Sequence, residues 1–255
     1  MNPIEIRGVV IGAGRPKIAV SLASPTEEAL LAEARSFCTL GADIAEWRMD
    51  CFDAVEDLSA VARCHAALRA ALGERPLLAT FRSAREGGAR ACSAAQYRAL
   101  GEAVLAAGGA DLLDVELFAE GESAPYLTAA AHDAGCPVLL SSHDFEKTPP
   151  VTEMTARLRA MQALGGDVLK LAVMPRSRAD VLALLQATEE AVRWAERPLV
   201  TMSMGEAGRV SRLCGGFFGS CITFGAGRQR SAPGQMDAAA LRQILDLAYG
   251  PAESE

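Results

Sequence analysis

The stretch Gly165-Gly166-Asp167-Val168-Leu169-Lys170-Leu171-Ala172-Val173 places a single lysine inside an apolar run of strand length, directly after two glycines that can end a helix. Residues two apart share a strand face, so Val168, Lys170 and Ala172 point one way and the leucines between them pack outward on helices. Burial favours the neutral amine of a lysine, and a neutral amine can attack a ketone to form a Schiff base. For this lysine taken alone, the alternative is a side chain that reaches from a strand end to solvent.

The same unit recurs along the chain. Eight apolar runs of strand length are each followed by a helix-length segment rich in alanine, leucine, glutamate and arginine; they begin near Lys17, Asp43, Pro76, Asp111, Pro137, Asp167, Pro198 and Cys221. Eight alternating units of roughly thirty residues predict an α/β fold, a closed (β/α)8 TIM barrel. An open doubly wound sheet is the alternative, but no glycine-rich phosphate fingerprint follows the first strand of the series.

The chain before the repeat has a different pattern. Residues 4–12 alternate in the way that predicts a short N-terminal β-hairpin outside the barrel. A chain of 255 residues that is 50% hydrophobic has the usual size of one such barrel. We therefore expect a single domain over residues 1–255.

Charge and composition exclude several classes of protein. The net charge is −7 and lysines and arginines form no run, which argues against a nucleic-acid partner or an anionic membrane surface. No leader pattern and no long apolar window are present, so we expect a soluble, cytoplasmic protein. The seven cysteines are scattered without Cys-x-x-Cys spacing, which predicts neither a disulfide framework nor a metal site. An anionic small-molecule substrate is compatible with this composition if cations are concentrated locally.

Polar residues recur where the predicted strands end, and active sites of (β/α)8 barrels are built at that end. Strand parity places them on shared faces as Glu46 with Arg48, Thr80 with Arg82, and Asp114 with Glu116. Taken singly, Glu46 and Arg48 fit a simple ion pair better than a substrate contact, and Arg82 fits a solvated surface residue. The recurrence in strand after strand favours one shared site.

The three histidines have different settings in the sequence. His143 directly follows a predicted buried strand, and histidine is the side chain best suited to moving protons near neutral pH. Glu86 and Asp144 are the acidic candidates to orient its ring. His65 and His132 lie in helix-like segments and are interpreted as exposed or packed residues.

Two polar loops follow the last two predicted strands, at residues 203–212 and 225–235. In many barrels these two loops form an anion site. An arginine here can hold a carboxylate through two parallel hydrogen bonds, with Ser231 and Gln235 as neutral donors beside it. The glycines of the 225–235 loop are compatible with a lid that closes over substrate, and equally with a flexible surface loop.

The ordered set of motifs resembles the type I 3-dehydroquinate dehydratases, the Schiff-base enzymes of the shikimate pathway. The motifs run from the second strand to the loop after the eighth and are Glu46-Trp47-Arg48-Met49-Asp50, Thr80-Phe81-Arg82, Glu86-Gly87-Gly88, Asp114-Val115-Glu116, Ser142-His143-Asp144-Phe145, Lys170, Ser211-Arg212 and Ser231-Ala232-Pro233-Gly234-Gln235. Ser83 and Ser142 are small departures from the family pattern, and neither removes a catalytic group.

The resemblance implies dehydration of 3-dehydroquinate to 3-dehydroshikimate. Lys170 would form the imine, His143 would act as general base and then general acid, and Glu86 would orient His143, so that losing Glu86 weakens turnover without abolishing it. Substrate binding would fall to two groups: Arg212, Ser231 and Gln235 at the carboxylate, and Glu46, Arg48, Arg82 and Ser21 at the ring hydroxyls. No metal or diffusible cofactor would be required.

The resemblance also implies a homodimer, because members of the family are often dimeric. It does not separate a role in aromatic biosynthesis from one in quinate breakdown. Two other functions stay open: another class I aldolase-type barrel enzyme, which would share the lysine, and a non-catalytic ligand-binding relative.

Overall fold

A computed structural model describes residues 1–227 and 232–250. It begins with a two-stranded antiparallel hairpin, β1 (Ile4–Ile6) and β2 (Val9–Ile11). Arg7 and Gly8 form the turn, and both have positive φ angles, as the tightest hairpin turns require. The predicted N-terminal hairpin is confirmed.

Eight parallel strands form the barrel: β3 (Lys17–Leu22), β4 (Ile44–Arg48), β5 (Leu77–Thr80), β6 (Leu112–Glu116), β7 (Val138–Asp144), β8 (Val168–Val173), β9 (Leu199–Ser203) and β10 (Ile222–Gly225). Neighbours in the chain are neighbours in the sheet, and β10 pairs with β3. Between β9 and β10 the closure is a bridge from Leu199 to Ser220, next to which the Cys221 amide donates to the Leu199 carbonyl at 2.7 Å. The predicted (β/α)8 TIM-barrel architecture is confirmed.

In the described part of the chain, eight α-helices alternate with these strands: α1 (Glu27–Ser36), α2 (Leu58–Leu72), α3 (Ala94–Ala106), α4 (Ser123–Asp133), α5 (Val151–Ala163), α6 (Arg178–Val192), α7 (Arg209–Cys214) and α8 (Ala238–Tyr249). Side-chain caps fix the N-termini of several of these helices. The Thr26 side chain accepts from the Ala29 amide at the start of α1, and Ser177 forms a capping box with Asp180 at the start of α6. None of the helices in the described part of the chain is long and apolar enough to cross a membrane.

The two faces of each strand belong to two separate apolar clusters. On β8, Val168 and Ala172 lie in the inner cluster, whereas Leu169 and Leu171 pack in the outer cluster beneath the helices. Ile11 of the hairpin also joins the inner cluster, at the opposite end from the polar residues. Apolar side chains therefore fill the barrel interior towards the N-terminal ends of the strands. The polar side chains lie at the C-terminal ends.

His65 gives the fold a specific acid sensitivity. The side chain is fully buried in α2 against Trp47, and within the described residues neither ring nitrogen has a hydrogen-bond partner. Burial lowers the pKa of His65 to about 4. In the unfolded chain this histidine binds a proton with a pKa of about 6.5. The contribution of neutral His65 to the free energy of unfolding is therefore fully present above that pH and is lost as the pH falls towards 4.

We expect the wild-type protein to lose about 3 kcal/mol of unfolding free energy through His65 between about pH 7.5 and about pH 4. His65→Leu removes the titrating group, so its stability should fall less over the same interval. Chemical denaturation at the two pH values measures both. An equal acid-induced loss in the two proteins would contradict this account.

Candidate functional site

A cavity of about 480 Å³, counted with its open mouth, lies at the C-terminal ends of the strands. Eight of the ten predicted site residues line it, namely Glu46, Arg48, Arg82, Glu86, His143, Lys170, Arg212 and Gln235. Ser21 lies beside the cavity, and its hydroxyl donates a hydrogen bond to Oε2 of Glu46. Ser231 and part of the predicted 225–235 lid lie outside the described residues, so both stay predictions.

Lys170 projects from β8 into this cavity with 5% of its side chain exposed. Its Nζ lies 3.7 Å from Oδ2 of Asp114, 3.9 Å from Oε1 of Glu46 and 4.3 Å from the centre of the Phe224 ring. These distances are longer than hydrogen bonds. Burial lowers the pKa of Lys170, and the two carboxylates oppose that shift. The amine is therefore biased towards its neutral, nucleophilic form.

His143 and Glu86 form a buried pair. Oε2 of Glu86 lies 2.8 Å from Nδ1 of His143 and also accepts the His143 backbone amide at 2.9 Å. Burial, followed by the charges of Arg82 and Lys170, lowers the pKa of His143 well below its usual value. Burial raises the pKa of Glu86 to about 8 against the opposing charge of Arg82. The imidazole is thus uncharged, and with its proton on Nδ1 its Nε2 is free of a proton and can act as a base.

The backbone around this pair explains its geometry. Glu86 ends a short 3-10 helix (Ala84–Glu86) after β5, and Gly87 follows with φ of 81°. A Cβ on Gly87 would lie 2.3 Å from the Phe145 ring, so only glycine fits. Asp144, the other acidic candidate for His143, instead accepts the backbone amides of Glu146 and Lys147.

Arg82 is buried, which rules out the alternative of a solvated surface residue. Its guanidinium donates to Oδ2 of Asp114 at 2.6 Å and to Oε1 of Glu116 at 3.0 Å, and lies 3.6 Å from Oε2 of Glu86. Ser141 accepts a further hydrogen bond from it at 3.0 Å. One cation is therefore shared among three carboxylates, which fixes its position and leaves the group net negative.

Glu46 and Arg48 do not form the simple ion pair that was the alternative for them. Arg48 makes two hydrogen bonds to Asp50, at 2.8 and 2.7 Å. Glu46 accepts from the hydroxyls of Ser21 and, at 3.2 Å, Thr80. Each side chain is thus held by its own neighbours and is aimed into the cavity.

Arg212 is the most weakly compensated cation of the site. It projects from α7, is 3% exposed, and within the described residues donates to the carbonyls of Phe224 and Pro233 at 3.4 and 3.3 Å and to Sδ of Met202 at 3.6 Å. No carboxylate of the described residues forms an ion pair with it, and burial lowers its pKa to about 10. A buried guanidinium without a counter-ion is suited to bind an anion that arrives with the ligand.

Several residues of the site had no role assigned from the sequence. Asp50 and Asp114 hold the arginines, and Met202, Met204 and Phe224 form the apolar wall. Strand parity signals Phe224 and the methionines, since they continue the inner face of β10 and β9. Among the described residues, no cluster of histidine, cysteine and carboxylate side chains is arranged to hold a metal ion.

Comparison with known proteins gives a consistent result. A family model described as type I 3-dehydroquinase matches residues 18–251. The 3-dehydroquinate dehydratase of Bacillus licheniformis is 47% identical over 247 residues, which cover 96% of this chain and 97% of that protein. The 3-dehydroquinate dehydratase of Syntrophotalea carbinolica is 48% identical over 250 residues, which cover 98% of this chain and 99% of that protein.

Solved structures match over almost the whole chain as well. The type I 3-dehydroquinate dehydratase of Clostridium difficile, crystallised with covalently modified comenic acid, aligns with a TM-score of 0.94 at 41% identity, covering 98% of this chain and 99% of that chain. The enzyme of Geobacillus kaustophilus aligns with a TM-score of 0.94 at 38% identity, covering 99% of this chain and all of that chain.

Proposed function

This chain belongs to the type I 3-dehydroquinase family, and we propose that it is a hydro-lyase that converts 3-dehydroquinate to 3-dehydroshikimate through a Schiff base on Lys170. One observation carries the proposal. The buried Lys170 amine, whose pKa is lowered, faces the same cavity as the His143–Glu86 pair and Arg212, which forms no ion pair with a described residue. An amine nucleophile, an oriented base and a carboxylate site are the three groups that this reaction needs.

The covalent step begins with neutral Lys170. Its Nζ attacks the ring ketone, a C–N bond forms, and the carbonyl oxygen leaves as water, which gives an imine. Once protonated, that imine draws electrons from the neighbouring carbon and makes its C–H bond acidic. Because the protonated imine is itself the electron sink, the proposed reaction needs no metal or diffusible cofactor.

His143 then moves the proton. Its Nε2 removes the proton from the carbon beside the imine, and the electron pair forms an enamine. The enamine expels the tertiary hydroxyl, which takes the proton from His143 and departs as water, so the histidine ends the step neutral again. Glu86 keeps the ring oriented throughout by its contact with Nδ1. Hydrolysis of the conjugated imine releases the product and restores Lys170.

The remaining residues would orient the substrate. We assign its carboxylate to Arg212, with Gln235 and Ser231 as neutral donors beside it, and its ring hydroxyls to Glu46, Arg48, Arg82 and Ser21. Arg48 is hydrogen-bonded to Asp50, and Arg82 to Asp114. These bonds support the assignment, because they fix both donors before substrate binds.

The test is turnover of 3-dehydroquinate by the purified protein, followed by the ultraviolet absorbance of the conjugated enone that forms. Parallel incubation with borohydride should give a reduced adduct that maps to Lys170. Binding of the compound without turnover would contradict the proposal and favour the non-catalytic relative. A retro-aldol product from a sugar phosphate would instead favour the aldolase.

Arg212→Ala tests the carboxylate assignment. We expect affinity for 3-dehydroquinate to fall by about 100-fold, close to 3 kcal/mol, because the substrate carboxylate loses the buried counter-charge assigned to it. The matched control is Arg209→Ala on the same helix, where the side chain is 41% exposed. Binding measured by calorimetry should be unaltered in that control, and an unaltered affinity in Arg212→Ala would refute the assignment.

The domain count, the oligomeric state and the cellular location of the protein stay predictions. We propose a single barrel domain, a homodimer and a cytoplasmic location on the strength of the family likeness. Light scattering of the purified protein measures the oligomeric state, and a monomeric mass at working concentrations would contradict the homodimer.

A further inference from the structure

We infer that Asp114 is the counter-ion of the protonated imine on Lys170, a positioning role that neither the sequence motifs nor the family likeness assigns to it. The inference rests on the proposed Schiff-base function. It starts from one distance: Oδ2 of Asp114 lies 3.7 Å from Nζ of Lys170, the atom that becomes the imine nitrogen.

The strand register brings these two residues together. Asp114 pairs with Leu139 of β7, while Lys170 pairs with Ser141, the next inward-facing residue of that strand. Ser141 therefore stands between the carboxylate and the amine, and its small side chain lets them approach across β7. Its hydroxyl also donates to Oδ1 of Asp114 at 2.7 Å.

Both oxygens of Asp114 are fixed. Oδ1 accepts from Ser141, and Oδ2 accepts from Arg82 at 2.6 Å, while the side chain is fully buried. The charge of Arg82 does not cancel that of Asp114, because Glu116 shares the same guanidinium. A fixed, buried carboxylate with uncancelled charge remains beside Nζ.

The imine needs that charge. Burial disfavours the cationic form of an imine just as it disfavours the ammonium of Lys170, and a neutral imine is a poor electron sink. The charged and titratable groups that face Nζ are Glu46 and Arg48 from β4, Arg82 after β5, Asp114 on β6 and His143 on β7. The two arginines and any proton on His143 oppose the cation, so the carboxylates must hold it.

Asp114 is better placed than Glu46 for this role. Oε1 of Glu46 is farther from Nζ, at 3.9 Å, and its carboxylate already accepts from Ser21 and Thr80 on the substrate side. The Asp114 side chain is fully buried and does not line the cavity, whereas Glu46 does. It can therefore act on the imine without being displaced when substrate binds.

The experiment is reductive trapping with 3-dehydroquinate and cyanoborohydride, which reduces the protonated imine, over a series of pH values. The Lys170 adduct is quantified by mass. Trapping is lost at high pH, and the pH at which half of it is lost is the midpoint. In Asp114→Asn we expect this midpoint to be lower by about one unit or more, and turnover at alkaline pH to be about 10-fold lower. The matched control is Glu116→Gln, which removes another buried carboxylate partner of Arg82 on the same strand. It should lower the midpoint less than Asp114→Asn does, because Asp114 keeps its own charge beside Nζ.

Each result decides the matter. An unshifted midpoint in folded Asp114→Asn, an equal shift in Glu116→Gln, or a larger shift in Glu46→Gln would overturn the role of Asp114 while leaving the Schiff base intact. No adduct in the wild-type protein would instead overturn the proposed function itself. Circular dichroism confirms folding, and Asp114→Ser, which keeps a hydroxyl for Ser141 and Arg82, is the second variant if asparagine unfolds the protein.

Discussion

Replacing Lys170 by alanine is expected to lower turnover of 3-dehydroquinate by at least about 10⁴-fold and to abolish the borohydride-trapped adduct. The reason is that no other amine reaches the cavity. Of the three lysines in the chain, Lys17 begins β3 at the opposite end of the barrel and Lys147 is exposed after β7. Steady-state kinetics and intact mass after trapping measure the two effects.

The matched control for that change is Lys147→Ala. It removes an exposed amine near the mouth of the barrel but none that lines the cavity, so both turnover and the adduct should be retained. Peptide mapping assigns the adduct directly, since only three lysines compete for it. Substantial activity or a surviving adduct in Lys170→Ala would remove the Schiff-base mechanism.

Most of the fold could be predicted from periodicity. The alternation of strand-length apolar runs with helical segments placed all eight barrel strands, because each unit must bury one strand face inward and one against a helix. The glycines before five of the strands, Gly41, Gly73, Gly108, Gly135 and Gly165, all have the positive φ that ends a helix. These are local requirements, which is why a single sequence reveals them.

The site could be predicted only in part. Parity placed Lys170 and Glu46 on the inner face, but it could not show which charges meet there. Arg48 turned out to bind Asp50 in its own segment, and Asp114 reaches Lys170 across an intervening strand. Such contacts depend on strand register and on the small size of Ser141, and neither is visible in a local pattern.

His143→Ala is expected to separate imine formation from elimination. Lys170 keeps its setting in this variant, so the borohydride-trapped adduct should still form. Turnover should fall by about 10²-fold to 10⁴-fold, because among the described residues no other histidine lines the cavity to remove the proton beside the imine. The lowered pKa of His143 keeps the wild-type base active at neutral pH, and on the acid side turnover should decline when the ring becomes protonated.

The matched control is His132→Ala in α4, where the ring is 42% exposed and contacts Asp167. Turnover there should equal that of the wild-type protein. The amounts of adduct and of product are then compared in His143→Ala. Adduct without product would mean that His143 acts after the imine has formed, which is the step that needs an acid–base group. Loss of the adduct together with turnover would mean that His143 serves to form the imine. Normal turnover in His143→Ala would remove the proton-transfer role of this histidine.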